Sequence, residues 1–112
     1  MESILNSIKK DLGIDESDKA FDSDITRRIN SAFMVLAQLG VCPDGFRIVN
    51  EYDTWDKFFR GRTDIDGAKD YVYLKVRLVF DPPTNASLLD ALKEEIKELE
   101  SRLNMQVDTH KT

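Results

Sequence analysis

The chain has little of what side-chain chemistry uses. Its 112 residues include one cysteine, Cys42, and one histidine, His110. A single thiol forms no internal disulfide, which suits a reducing compartment. One Cys and one His do not make a zinc site of the usual four-ligand kind. His110 lies in a polar terminal stretch, where no packing would hold it against a nucleophile, so a catalytic triad is excluded as well. Cys42 follows the C-terminal end of an expected helix, where the dipole disfavours a thiolate, and reads as a small packed or surface residue. There is neither a Walker loop nor a GxGxxG turn. No run approaches the roughly 18 apolar residues of a membrane span. Met1 to Lys9 has neither a basic n-region nor an apolar stretch, so no signal peptide is expected and synthesis in a cytoplasm is. Without secretion, the glycosylation pattern Asn85-Ala-Ser87 is a chance match.

Basic charge is also in short supply. Sixteen Lys and Arg against 21 Asp and Glu leave a net charge of -5, which argues against a general nucleic-acid binder. Arg27, Arg28, Arg60, Arg62, Lys75 and Arg77 are too scattered to make a phosphate footprint. The carboxylates do no better as a metal site. Asp64-Ile-Asp66-Gly67 resembles part of a calcium loop, but aligning the glycine puts Arg62 at the first ligand position and Tyr73 at the bidentate one. Helix N-capping is the better reading of Asp64 and Asp66, and a solvated linker that of Asp15, Glu16 and Asp18. No catalytic, cofactor-binding or metal-binding residue is expected, and the chain is read as a non-enzyme.

What is there is helical patterning. Ile4, Leu5, Ile8 and Leu12 mark a short helix closed by Gly13. Ile25, Ile29, Ala32, Phe33, Leu36 and Leu39 mark a helix of about 17 residues, started by Asp22, Ser23 or Asp24 as N-cap and ended by Gly40. Residues 41–66 are irregular. Pro43-Asp-Gly45 is a turn, and Phe46 to Asn50 offers a short strand. Thr54 or Asp53 would cap a short helix carrying Trp55, Phe58 and Phe59, and the long connection is either a functional or mobile loop or a packed excursion pinned by these three aromatics. In 67–80, Val72, Leu74, Val76, Leu78 and Phe80 alternate as in a strand, while Ala68, Tyr71, Val72, Val76, Val79 and Phe80 share a helical face. Pattern alone leaves both open. A buried helix is taken, because the rest of the chain offers no good strand partners and a lone strand leaves its backbone groups unpaired. Asp81-Pro-Pro83 then forces a turn. A last helix from about Ser87 to Asn104 carries the seam Leu92, Ile96, Leu99, Leu103, spaced as in a coiled coil, with Glu98 and Arg102 as an i,i+4 pair.

The expected fold is mainly all-α: a bundle of about four to five helices, with a long loop between helices 2 and 4 that has room for a short strand pair. Residues 1–104 would form one domain and 105–112 a polar tail that frays. The expected core is Ile8, Leu12, Ile25, Ile29, Phe33, Leu36, Val72, Val76 and Phe80.

The run Tyr71-Val-Tyr-Leu-Lys-Val-Arg-Leu-Val-Phe-Asp-Pro-Pro83, followed by the Leu92/Ile96/Leu99/Arg102 helix, resembles the small head–tail connector (adaptor, or head-completion) proteins of tailed bacteriophages. The likeness extends to Ile29–Gly40 and Thr54-Trp-Asp56. It implies a virion protein of the head–tail neck, made in the host bacterial cytoplasm, forming a ring commonly of about twelve copies whose closure follows from heterologous contacts. The implied partners are the portal protein, neighbouring copies of the chain and a tail-side connector or tail-terminator protein. Packaged DNA would pass in passive contact, with no sequence-specific binding and no membrane. In such proteins the C-terminal part generally contacts the portal. Residues proposed for these interfaces are Trp55, Phe58 and Phe59, as exposed aromatics, and Leu92, Ile96, Leu99, Arg102 and Leu103, as an uncovered seam. The alternative is a cytosolic helical interaction module that dimerises through its last helix.

Overall fold

The structure is a computed structural model that describes residues 2–41, 45–62 and 67–111, the last four of these as helix backbone only. The chain forms α1 (Ile4–Asp11), α2 (Asp22–Gln38), α3 (Trp55–Phe59), α4 (Ala68–Phe80) and α5 (Ala86–Lys111). The described residues contain no strand, only an isolated antiparallel bridge between Ser3 and Thr54. The fold is thus the expected small all-α bundle, and residues 68–80 are a helix.

Local chemistry explains the helix ends. Ser3 accepts the Asn6 amide at 3.2 Å and starts α1. α1 and α2 both finish in the paired hydrogen bonds of a Schellman turn. Gly13 and Gly40 adopt φ near +80°, and the following Ile14 and Val41 amides reach back to Lys9 and Leu36 carbonyls at 2.8 and 2.9 Å. Val41 is then buried against the core. At the start of α2 the N-cap position belongs to Phe21, with no side-chain cap, rather than to Asp22, Ser23 or Asp24. Asp22 is drawn away from that role by Lys9, whose ammonium lies 2.7 Å from its carboxylate. Asp81 ends α4 ahead of Pro82, and the Asn85 side chain caps α5 by accepting the Ser87 and Leu88 amides at 2.8 and 3.2 Å.

The helices pack in the order α1, α2, α4, α5, with α4 between α2 and α5. Ile8, Ile25, Ile29, Phe33, Leu36, Val72 and Val76 are buried as expected. Leu12 and Phe80 are corrected to half-buried positions at the edge of the core. Tyr71 and Lys9 are fully buried, and neither was expected in the core. α5 runs on beyond Asn104 as helix, because Val107 extends the apolar seam by one turn and is itself buried. Where Gly67 opens α4, an added Cβ would sit 3.4 Å from a Leu99 methyl, so the small residue lets α5 approach closely. Cys42, the turn at Pro43-Asp-Gly45 save Gly45 itself, and the capping roles of Asp64 and Asp66 lie outside the described residues, as does the side chain of His110.

Candidate functional site

The loop between α2 and α3 is held by side chains acting as backbone. Residues 46–50 do not form a strand, because their partner is the side-chain amide of Asn30. Its Nδ2 donates to the Ile48 carbonyl at 2.9 Å, and its Oδ1 accepts the Ile48 amide at 2.8 Å. One residue of α2 thereby supplies the two bonds that a neighbouring strand would have made. Asp53 does not cap α3 either. Its carboxylate accepts the Val49 and Asn50 amides at 2.6 and 3.2 Å. The Val49 hydrogen bond, above all, holds this carboxyl below the ordinary carboxylate range, against the opposing cost of its desolvation. Thr54 occupies the α3 N-cap position without a side-chain capping bond.

The aromatics of this loop face inward. Trp55 and Phe58 are each 2% exposed, and Phe59 is half-buried. Phe58 packs on Phe33 and Phe46 with ring centroids 5.2 and 5.3 Å apart. The Trp55 indole donates to Ser7 Oγ at 2.8 Å, and Lys69 covers the Trp55 and Phe59 rings from outside. The exposure on which their docking role was argued is therefore absent. Their clustering ties the loop to α1 and α2 instead.

The α5 seam is likewise covered. Leu92, Ile96 and Leu103 are buried and Leu99 is half-buried, on the side of α5 that packs against α4. Tyr71 of α4 crosses to α5 and donates its phenol proton to Glu100 at 2.7 Å. Burial, reinforced by the Glu100 charge, pushes the Tyr71 phenol well above its ordinary value. Of the eight residues proposed from sequence, only Arg102 is exposed, and it pairs with Glu98 at 2.6 Å.

The surfaces that are open were not the expected ones. A groove of about 650 Å³ runs along the outer face of α2, between Thr26, Arg27, Asn30, Met34 and the segment Gly45–Arg47. Met34 is 60% exposed on it. At the N-terminal end of α2, Phe21 stacks edge-on against Phe80 at 5.4 Å, and both Phe21 and Val79, which precedes Phe80 in α4, are exposed. The signal for the groove was present in the sequence. Met34 falls opposite the Ile25/Ile29/Phe33/Leu36 face in the helical register of α2. Nothing in pattern says that Gly45–Arg47 would wall it.

Among the described residues no group of three or more His, Cys, Asp or Glu is placed to hold a metal ion, and no helix is long and apolar enough to cross a membrane. The family model described as "Phage connector protein" matches residues 4–110. Comparison with curated proteins and with solved structures gives no match.

Proposed function

The chain belongs to the phage connector protein family, and on that premise we propose that it is one subunit of a ring that joins phage head to tail beneath the portal. The family match, which runs through all five helices, carries this reading. A connector role is a binding role. In the proposed assembly about twelve copies would close around an axis, extend the DNA channel, and present a platform to a tail-side connector or tail-terminator protein. The helix after Pro83 and the polar terminal residues would meet the portal or a neighbouring copy. The work is done by binding energy alone. An acidic lumen, which the net charge of -5 permits, would repel phosphate and let packaged DNA slide past.

The alternative, a module that dimerises through its last helix, asks for a free seam. Leu92, Ile96, Leu103 and Val107 are buried in the single chain. Exposing them would cost roughly 1.5–3 kcal/mol for each side chain before any partner is met. The covered seam favours the connector reading.

Mass by light scattering, with and without purified portal, tests the proposal. The expected result is a chain that is monomeric alone and joins the portal in about one copy per portal subunit. A stable dimer or trimer indifferent to the portal would overturn it.

A further inference from the structure

The groove on α2 and the outer face of α5 carry opposite charge. Arg27 and Arg47 line the groove, and no carboxylate is among its described lining residues. Arg27 is held by Asp24 at 2.8 Å, but Arg47 makes no ion pair with a described residue. On α5, the side turned away from the buried seam presents Asp90, Glu94 and Glu98 at four-residue spacing, all exposed. Beside them a shallow hollow opens over Ala91, rimmed by Glu94, Glu95 and Glu98 with Lys97 among them. Lys97 lies 3.9 Å from Glu94 and Arg102 pairs with Glu98, while Asp90 and Glu95 have no ion-pair partner among the described residues.

The layer order fixes where these two surfaces stand. α5 packs on α4, and α4 packs on the core face of α2. The groove runs along the Arg27/Met34 side of α2 with the core residue Phe33 in its lining, and the carboxylate stripe lies on the α5 face opposite its seam. They are therefore carried by two helices with α4 packed between them.

We infer that the α2 groove of each subunit receives the acidic outer face of α5 from a neighbouring copy, with Arg47 set against Glu94 and Glu98. Such a contact is head-to-tail: it uses two different surfaces, leaves one of each free, and so propagates until rotation closes a ring. Met34 supplies an apolar anchor beside the charges, and the small Ala91 leaves room for an arginine side chain among the acids. The inference rests on the ring reading and specifies which faces build the ring.

Charge reversal tests it. Arg47→Glu and Glu94→Arg alter exposed side chains, so circular dichroism and melting should match the parent. Each alone should weaken the joining of further copies, on the order of tenfold or more, as close interfacial charge pairs do. The double variant should recover most of that loss. The readout is copies per portal ring by native mass measurement across a concentration series. Single variants that fill the ring like the parent would overturn the pairing while leaving the ring reading intact. A double variant no better than the singles would also overturn it. Loss of even the first copy from the portal in Arg47→Glu would assign the groove to the portal and overturn it too. A parent chain that binds in single copy would overturn the ring reading, and this contact with it.

Discussion

Asn30 holds Ile48 by both backbone groups, its side-chain amide donating at 2.9 Å and accepting at 2.8 Å. This pairing fixes the loop that walls the α2 groove, because Ile48 is fully buried and its neighbours Phe46 and Arg47 follow its placement. Asn30→Ala would leave a buried N–H and C=O without partners. The expected cost is about 2 kcal/mol, near the middle of the range for unsatisfied buried groups. Urea denaturation checks it: the midpoint should fall with the slope unchanged, since the same surface is exposed on unfolding.

Lys9 is fully buried, yet its ammonium is completely served. It donates to the Glu16 and Asp18 carbonyls at 3.1 and 2.7 Å and lies 2.7 Å from Asp22. The last contact is an ion pair without hydrogen-bond direction at Asp22 Oδ1. One side chain thereby folds the 15–18 linker back onto α1 and anchors the start of α2. Lys9→Met keeps the apolar stem and removes the three-way head. It should destabilise by about 3 kcal/mol, at the low end for breaking a buried pair, since the Asp22 side chain is 25% exposed and partly rehydrates. Asp22→Asn should cost less, because the two carbonyls still hold the ammonium. A double-mutant cycle on these positions should give a coupling clearly different from zero, and additivity would refute the pairing.

Lys9 also shows where reading the sequence stopped. A lysine in the last turn of a short helix is ordinary helix chemistry, and only tertiary structure brings three acceptors around it. The same reason covers Asn30 and Tyr71. The C-terminal ends of α1, α2 and α4 were legible because Gly13, Gly40 and Asp81-Pro82 act locally, on the residues beside them. The burial of Trp55 and Phe58 was only one of two readings the sequence left open. Their docking role assumed exposure, and an aromatic in a loop is exposed or buried according to what lies beneath it, here Phe33 and Ser7 of other helices. The seam was correctly found on α5 but wrongly left open, since periodicity identifies an apolar face without naming what covers it.

The Tyr71 phenol joins α4 to α5 through Glu100, and its ionisation is pushed up by burial. A raised folded value means stability that is fully present below the ordinary tyrosine value of 10.0 and is lost as pH rises beyond it toward the folded one. Titration followed by tyrosinate absorbance should therefore show one of the three tyrosines ionising only as the chain unfolds in alkali. In Tyr71→Phe that late component should vanish, with a loss of about 1 kcal/mol at neutral pH.

Asp53 has the opposite sign. Its carboxyl is held below 3.8 by the Val49 amide first and the Asn50 amide and Lys57 after it. Its contribution to stability is present above the unfolded value near 3.8 and is lost as pH falls through the folded one. Stability against urea measured from neutral to acid pH should fall less steeply in Asp53→Asn than in the parent. Parallel curves would mean that the two amides are not held by this carboxylate.

Assembly variants must separate a lost surface from a lost fold, and the positions of Trp55 and Arg102 make that separation possible. Trp55→Ala empties a buried site that packs on Phe33 and Phe58 and should cost about 3–5 kcal/mol. Failure of that variant to join the portal would report unfolding. The Arg102 side chain is 70% exposed and touches its own chain through one surface ion pair, which contributes less than about 1 kcal/mol. Arg102→Ala should melt like the parent, so any drop in portal-dependent mass would come from a contact outside the subunit. With the C-terminal helix against the portal or a neighbour, that drop is the expected outcome. Unchanged assembly in a folded Arg102→Ala chain would remove Arg102 from the interface and, with it, the last of the eight positions first proposed from sequence that is open to a partner.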